Sequence, residues 1–501
     1  MSHKTKEQLG REAQAIWNDI KGKALTAKDR MAIPPQDMAT GDPLKRAREM
    51  GEVALGYTDE QALVEAARCL GCKNRPCVAA CPVGVPIPEF IACVQDGEYK
   101  NAVDTIKMAN LLPAICGRVC PQEKQCQSTC TLGKSLKSVD KAVAIGRLER
   151  FVADWERENG KITVPAVKAA TGKKVAVIGS GPAGLTVAAD VRREGHDVTV
   201  FEAFHKTGGV MVYGIPEFRL PKAIVAKEVE NLKAMGVTFR TNFLVGRTET
   251  IFDLLDREKY DAAFIGTGAG LPKFMDLPGE NLIGVFSANE YLTRANLMKA
   301  YDTEKAATPL YPAKVVGVVG GGNVAMDACR MALRLGADKV YCIYRRTRDE
   351  MPARAEEVMH AEEEGVEFLF LQNPTRIIGD DTGHVRAVEV LDYELGEPDA
   401  SGRRSPVAKP GTEHEIAVDA MIIALGNESN PLMAQTTEGL DVTKRGNIVV
   451  DAKQRTSLKR VWAGGDIVLG AATVILAMGE GRKAAKSIND YLAGNEEDVA
   501  D

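Results

Sequence analysis

Eleven cysteines occur in the 501-residue sequence, and nine of them fall between Cys69 and Cys130. Eight of these nine form two runs, Cys69-x2-Cys72-x4-Cys77-x3-Cys81-Pro82 and Cys116-x3-Cys120-Pro121-x4-Cys126-x3-Cys130. Close-spaced thiols with Cys-Pro steps hold iron–sulfur clusters, and the last cysteine of a run often ligates the other cluster of a pair. Structural zinc also uses Cys-x2-Cys, but zinc ribbons pair short knuckles rather than runs of four thiols. The spacing favours two clusters over zinc. Cys93 lies outside both runs and reads as a small buried apolar residue. Cys329 and Cys342 are too far apart to form the Cys-x-x-Cys of a disulfide reductase.

Two glycine-rich stretches carry a second chemistry. In the first, Val175 to Ile178 run into Gly179, Gly181 and Gly184. Gly179 permits the turn, Gly181 lets the backbone approach a pyrophosphate, and Gly184 lets the next helix pack on the strand. The phosphates then meet the open amides of that helix's first turn, Pro182 to Leu185 with Ala183 between. Glu202 ends the second strand, Asp197 to Phe201, where a carboxylate accepts hydrogen bonds from ribose hydroxyls. In the second stretch, Gly320, Gly322 and Ala325 take the glycine-type positions, with Asn323 and Val324 opening the helix. Its second strand, Val340 to Tyr344, ends in Arg345 and Arg346, and guanidinium groups there bind the extra phosphate of NADP.

Later, Val461 to Asp466 reads as a strand and a Gly-Gly-Asp turn. Gly465 shapes that turn, Asp466 is placed to bind sugar-alcohol hydroxyls, and the amides near Ala472, Thr473 and Val474 open a helix toward a reduced flavin. Two nucleotide sites of different ribose chemistry imply FAD at the first and NADPH at the second.

These residues must be positioned by a small set of elements. Residues 139–155 read as an amphipathic helix, with Glu149 among its apolar positions. The Gly- and Pro-rich loop after Glu202 is too long for a simple connection and lies beside the cofactor site. The apolar strands 262–268 and 422–426 lead into glycines. The expected organisation is an N-terminal arm over 1–58, a helical iron–sulfur domain over 59–170, an FAD domain in two parts over 171–285 and 428–501, and an NADPH domain inserted over 286–427. The fold class is therefore α/β, two Rossmann-like domains behind a helical domain with two [4Fe–4S] clusters.

The formal charge of −5 gives no reason to expect a nucleic-acid or membrane surface. No apolar run approaches bilayer length and no signal-peptide core is present, so the expected location is the cytoplasm.

From about Glu60 onward the chain resembles the family of the small subunit of NADPH-dependent glutamate synthase. That family includes the large subunit of the NADH-dependent ferredoxin:NADP oxidoreductase and the N-terminal half of dihydropyrimidine dehydrogenase. The resemblance rests on RCLGCKNRPCVAACPVG, ICGRVCPQEKQCQSTC, AIGRLERF, GSGPAGL, GGVMVYGIPEFRLPK, GGGNVAMD, YRRT and AGGDIV. It implies one [4Fe–4S] cluster on Cys69, Cys72, Cys77 and Cys130, and a second on Cys81, Cys120, Cys126 and Glu149, with Cys116 as the rival for the last place. It also implies that Gly208, Gly209, Val210 and Arg219 line the flavin and that Ala424, Leu425 and Gly426 approach the nicotinamide nucleotide.

The expected function is an NADPH-oxidising electron-transfer subunit that serves a larger FMN- and iron–sulfur-containing glutamate synthase chain. An alternative partner is a small NADH-reactive flavoprotein with ferredoxin, in a bifurcating enzyme. A zinc-bound scaffold without catalysis is the non-enzymatic alternative.

Overall fold

A computed structural model describes residues 4–400 and 402–495. Both glycine-rich stretches open from five-stranded parallel sheets. In the first sheet Lys174–Ile178 is central, with Asp197–Phe201 and Thr238–Arg240 to one side and Ala262–Ile265 and Val461–Ala463 to the other. Residues alternate along a strand, so Val175 and Val177 pack into one core and Ala176 and Ile178 into another. The helices Pro182–Arg193 and Val474–Leu492 share the first of these cores. Their approach is close, since a Cβ on Gly481 would stand 2.7 Å from the Ala183 carbonyl oxygen. The strand Val461–Ala463 and its following helix therefore rejoin a sheet begun at Lys174.

The second sheet runs Val285–Ser287, Ala420–Ile423, Val315–Val319, Lys339–Tyr344, Glu367–Phe370, all parallel. The chain crosses between the two sheets twice, and the crossings pair antiparallel at Leu271–Pro272 and Asn427–Glu428. An antiparallel sheet of Gln372–Gly379, Val385–Pro398, Arg404–Ala408 and His414–Ala417 is attached to the second unit. The expected organisation of the NADPH domain did not include this sheet.

The thiol runs lie among short helices, Asp59–Ala67, Ile87–Gln95, Tyr99–Lys107 and Pro113–Val119, closed by Ile145–Glu158. Phe90, Ile91, Ile106, Leu148 and Val152 are fully buried between them. Each such side chain contributes about 1.5–3 kcal/mol through burial. The last helix begins at Ile145 rather than at 139. The reason is local: the Lys141 and Ala142 carbonyls accept from the Arg68 guanidinium, and Ala144 N donates to Glu65 Oε1, so these groups are not free to continue a helical ladder.

Ahead of these helices, Lys6–Ile20 packs on Asp59–Ala67 through Ala13, Val64 and Ala67. Farther on, Val53 N donates to Phe218 O, and Arg46 pairs with Glu363 and Glu364 on the second nucleotide-binding unit. Among the described residues no helix is long and apolar enough to cross a membrane.

Candidate functional site

Cys81, Cys116, Cys120, Cys126 and Glu149 line one cavity together with Asn110 and Ile475. Cys69, Cys72, Cys77 and Cys130 form a second group. Burial raises the Cys69 thiol, and Cys130 and Cys72 beside it add to the effect; burial lifts Cys77 to about 12, with Cys69 and Cys130 as its neighbours. The two groups adjoin, because Cys126 is raised by burial and by its neighbours Cys81, Glu149 and Cys77. Among the described residues no three His, Cys, Asp or Glu side chains are drawn together tightly enough to hold a single metal ion.

Glu149 sits on the buried face of Ile145–Glu158. Burial pushes its carboxyl up to about 8, against one hydrogen bond from Asn110 Nδ2 to Oε1 at 2.7 Å. A carboxylate so enclosed lacks positive charge, and iron bound by the neighbouring thiols would provide it. Cys116 Sγ faces Asn110 Oδ1 at 3.7 Å and Met478 Sδ at 3.6 Å. The side chains present thus fit iron–sulfur ligation.

At the first glycine turn, Gly179 has φ +100° and a Cβ there would stand 2.5 Å from the Gly266 carbonyl oxygen. A Cβ on Gly184 would lie 2.0 Å from Gly179 O, whereas one on Gly181 would meet nothing within 4 Å. Gly181 therefore faces open space at the N-terminus of Pro182–Arg193, where Ala183 and Leu185 are buried. Gly208 and Gly209 close over this turn, a Cβ on Gly209 lying 2.7 Å from Gly181 Cα, and Val210 opens the short helix Val210–Tyr213.

Glu202 is buried at the strand end, as its position requires, and is already hydrogen-bonded. Its Oε2 accepts from Ser180 N at 3.0 Å and Ser180 Oγ at 2.5 Å, and its Oε1 accepts from Phe204 N at 2.8 Å. Ser180 Oγ also accepts from Gly208 N at 2.9 Å, so one carboxylate holds the glycine turn and the overlying loop together. A carboxylate retains lone pairs for ribose beyond these bonds. Sequence reasoning missed Ser180, although its place between Gly179 and Gly181 was the available signal.

Across the same sheet edge, Gly465 approaches Ala183, and Asp466 Oδ1 is buried without a hydrogen-bond partner. Burial lifts the Asp466 carboxyl to about 6 against the pull of the Ala472 backbone. Thr473 caps Val474–Leu492 by accepting from Leu476 N. An orphaned acceptor beside open helix amides suits a polyhydroxylated nucleotide chain, so the residues fit FAD.

The second turn repeats the design. Gly320 has φ +140° and lies against the Ala424 carbonyl oxygen, which places Ala424 to Gly426 beside the turn, Leu425 being exposed. Gly322 is open, Asn323 and Val324 begin the helix Asn323–Arg334, and Ala325 is buried against the sheet. Gly321 is also required, because a Cβ would stand 2.5 Å from the Tyr344 ring. The two arginines part company. Arg345 is exposed at the strand end, whereas Arg346 is buried, its Nη2 2.7 Å from Asp399 Oδ2 and its Nε donating to Arg404 O at 2.7 Å. Cys329 and Cys342 are neighbours beneath this turn, and Cys342 Sγ donates to Gly320 O at 3.3 Å.

Arg219, expected at the flavin, is committed elsewhere. Its Nη1 lies 2.7 Å from Asp327 Oδ1 and its Nε 3.2 Å from Glu357 Oε1, both on the second nucleotide-binding unit. Burial lifts the Asp327 carboxyl to about 6, although Arg219 opposes this, and the Arg219 and Arg330 guanidinium groups hold Glu357 down near 2 despite its burial.

Residues 46–161 match the family described as dihydropyrimidine dehydrogenase domain II, 4Fe-4S cluster, and residues 173–481 match pyridine nucleotide-disulphide oxidoreductase. The glutamate synthase [NADPH] small chain of Halomonas elongata is 37% identical over 91% of this chain and 97% of its own length. The NADP(+)-dependent formate dehydrogenase subunit beta of Moorella thermoacetica is 41% identical over 83% of this chain and 60% of its own. In fold, FprA of Mycobacterium tuberculosis, solved with NADPH, superposes with a TM-score of 0.54 at 17% identity, covering 65% of this chain and 87% of that one. The helical thiol domain, the paired glycine turns and this likeness over nearly the whole chain agree: the protein belongs to the glutamate synthase (NADPH) small-chain family of flavin- and iron–sulfur-dependent NADPH oxidoreductases.

Proposed function

We propose that the chain is an electron-transfer subunit of glutamate synthase small-subunit type that oxidises NADPH, carries FAD and two [4Fe–4S] clusters, and serves a larger partner subunit. Bound FAD would supply hydride acceptance from NADPH and bound clusters one-electron transfer, so two-electron and one-electron chemistry would meet in one chain.

The carrying observation is the position of Val474–Leu492. Its first turn follows the Gly465–Asp466 turn and contains Ile475, which lines the cavity of Cys81, Cys120, Cys126 and Glu149. One helix end is thus shared by the FAD candidate site and a cluster candidate site. Asp466 would hold the ribityl hydroxyls, Gly181 and the amides of Pro182–Arg193 the pyrophosphate, and Glu202 the ribose. Arg345 would take the 2′-phosphate of NADPH, with Gly320, Gly322 and Ala424 to Gly426 around the remainder.

Anaerobic addition of NADPH to the purified holoprotein should bleach the flavin absorbance, and the protein should contain about eight irons with matching sulfide, as two four-iron clusters require. Failure to bleach, or zinc with negligible sulfide, overturns the proposal. Relatives named for glutamate synthase and for formate dehydrogenase serve different complexes. Mass spectrometry of the native complex distinguishes a large FMN-containing partner from a small flavoprotein or another dehydrogenase subunit.

A further inference from the structure

Asn110 is fully buried between the helices Tyr99–Lys107 and Pro113–Val119. Its amide orientation is determined by its neighbours. Leu112 N, which can only donate, bonds Asn110 Oδ1 at 2.9 Å, so Nδ2 must point the other way, and it meets Glu149 Oε1 at 2.7 Å. The same Oδ1 stands 3.7 Å from Cys116 Sγ. Asn110 thus touches both side chains that compete for the last ligand position, holding Glu149 by an N–H and meeting Cys116 with an oxygen.

We propose that Asn110 is a positioning residue that decides the fourth ligand of the second cluster: it pins one oxygen of Glu149, leaves the other to face the metal, and holds Cys116 against Met478 outside the ligand set. The inference rests on the two-cluster reading above. It adds to that reading the residue that chooses between two candidate ligands within a single cavity. Cys116 packs on Met478 Sδ at 3.6 Å, on the helix whose Ile475 also lines the cavity, which suits a side chain used for packing.

The test uses holoprotein and electron paramagnetic resonance of the reduced clusters, with iron and FAD content measured for each variant. Two reduced-cluster signals in the wild type, one altered by Glu149→Ala, establish the underlying reading independently of Asn110. Asn110→Asp keeps the shape and removes the N–H donor, and it should alter the same signal as Glu149→Ala while the other signal and the FAD content stay unchanged. Cys116→Ser in the wild-type background should leave both signals unaltered. In Asn110→Leu, where Cys116 is released from Oδ1, adding Cys116→Ser should change the affected signal again. Unaltered spectra and full iron in Asn110→Asp overturn the proposal, as does loss of a signal in Cys116→Ser alone. Loss of FAD or of both clusters in Asn110→Asp would show a merely structural role and overturn it as well.

Discussion

Arg346 Nη2 lies 2.7 Å from Asp399 Oδ2, while Arg345, its neighbour in sequence, stands exposed at the end of Lys339–Tyr344. The pair of arginines that marks the second nucleotide site is therefore divided between two tasks. Arg345, exposed, is the proposed contact for the 2′-phosphate of NADPH, and Arg346 ties the strand end to Asp399 and to the Arg404 carbonyl. A charged hydrogen bond contributes about 1.5–3 kcal/mol. Arg345→Ala should weaken NADPH roughly 10- to 100-fold by titration calorimetry and leave NADH binding nearly unchanged. Arg346→Ala should act on both nucleotides alike, through the displaced strand end. Equal losses for NADPH and NADH in Arg345→Ala would remove its assigned role.

The buried pair of Arg219 and Asp327 links the loop over the first turn to the helix of the second. Removing one member of such a pair leaves an uncompensated charge and costs about 3–5 kcal/mol, whereas replacing both by apolar groups is often neutral. Arg219→Ala should lower stability by about that amount in urea unfolding, and Arg219→Met with Asp327→Leu should recover most of it. Glu357 keeps Arg330 as partner in either case. If Arg219→Ala were as stable as wild type but lost FAD, Arg219 would be a flavin ligand after all.

What could be read from the sequence follows a physical division. Glycine turns were legible because backbone geometry leaves no other residue possible at Gly179 or Gly320, and the thiol runs because metal chemistry dictates their spacing. The partners of Arg219, Arg346 and Asn110 were not legible, since each is bonded to a residue brought near only by the tertiary fold. Asp399 comes from the connection between the strands Val385–Pro398 and Arg404–Ala408, more than fifty residues beyond Arg346. The helix expected from 139 starts at Ile145 because Arg68 and Glu65, far back in the chain, claim its first backbone groups.

On the proposed FAD assignment, Asp466 should give the first site a pH dependence. Its carboxyl is raised to about 6 by burial, so it is mostly neutral below that pH and charged above it. Hydroxyl donors of a bound nucleotide favour the charged form, so FAD binding draws the pKa down. FAD affinity should then fall as pH drops below about 6, by up to tenfold per unit. Flavin fluorescence on dilution across pH 5–7.5 measures this. Asp466→Asn should bind more weakly at pH 7 and show a flat profile, and an unchanged slope in that variant would place the titration elsewhere.

Gly181 and Gly184 lie three residues apart at the same turn, yet they face different neighbours, and this separates folding from binding. A Cβ on Gly184 would stand 2.0 Å from Gly179 O, a contact that only movement of helix against strand can relieve. Gly184→Ala should therefore lower the unfolding midpoint of the apoprotein. A Cβ on Gly181 meets no protein atom within 4 Å and its φ is −69°, which alanine adopts without strain. Gly181→Ala should fold with the wild-type midpoint as apoprotein, yet lose FAD, because the added methyl enters the space where a pyrophosphate must approach the backbone. Retention of stoichiometric FAD by Gly181→Ala would mean that the open face of this turn is not where the pyrophosphate binds.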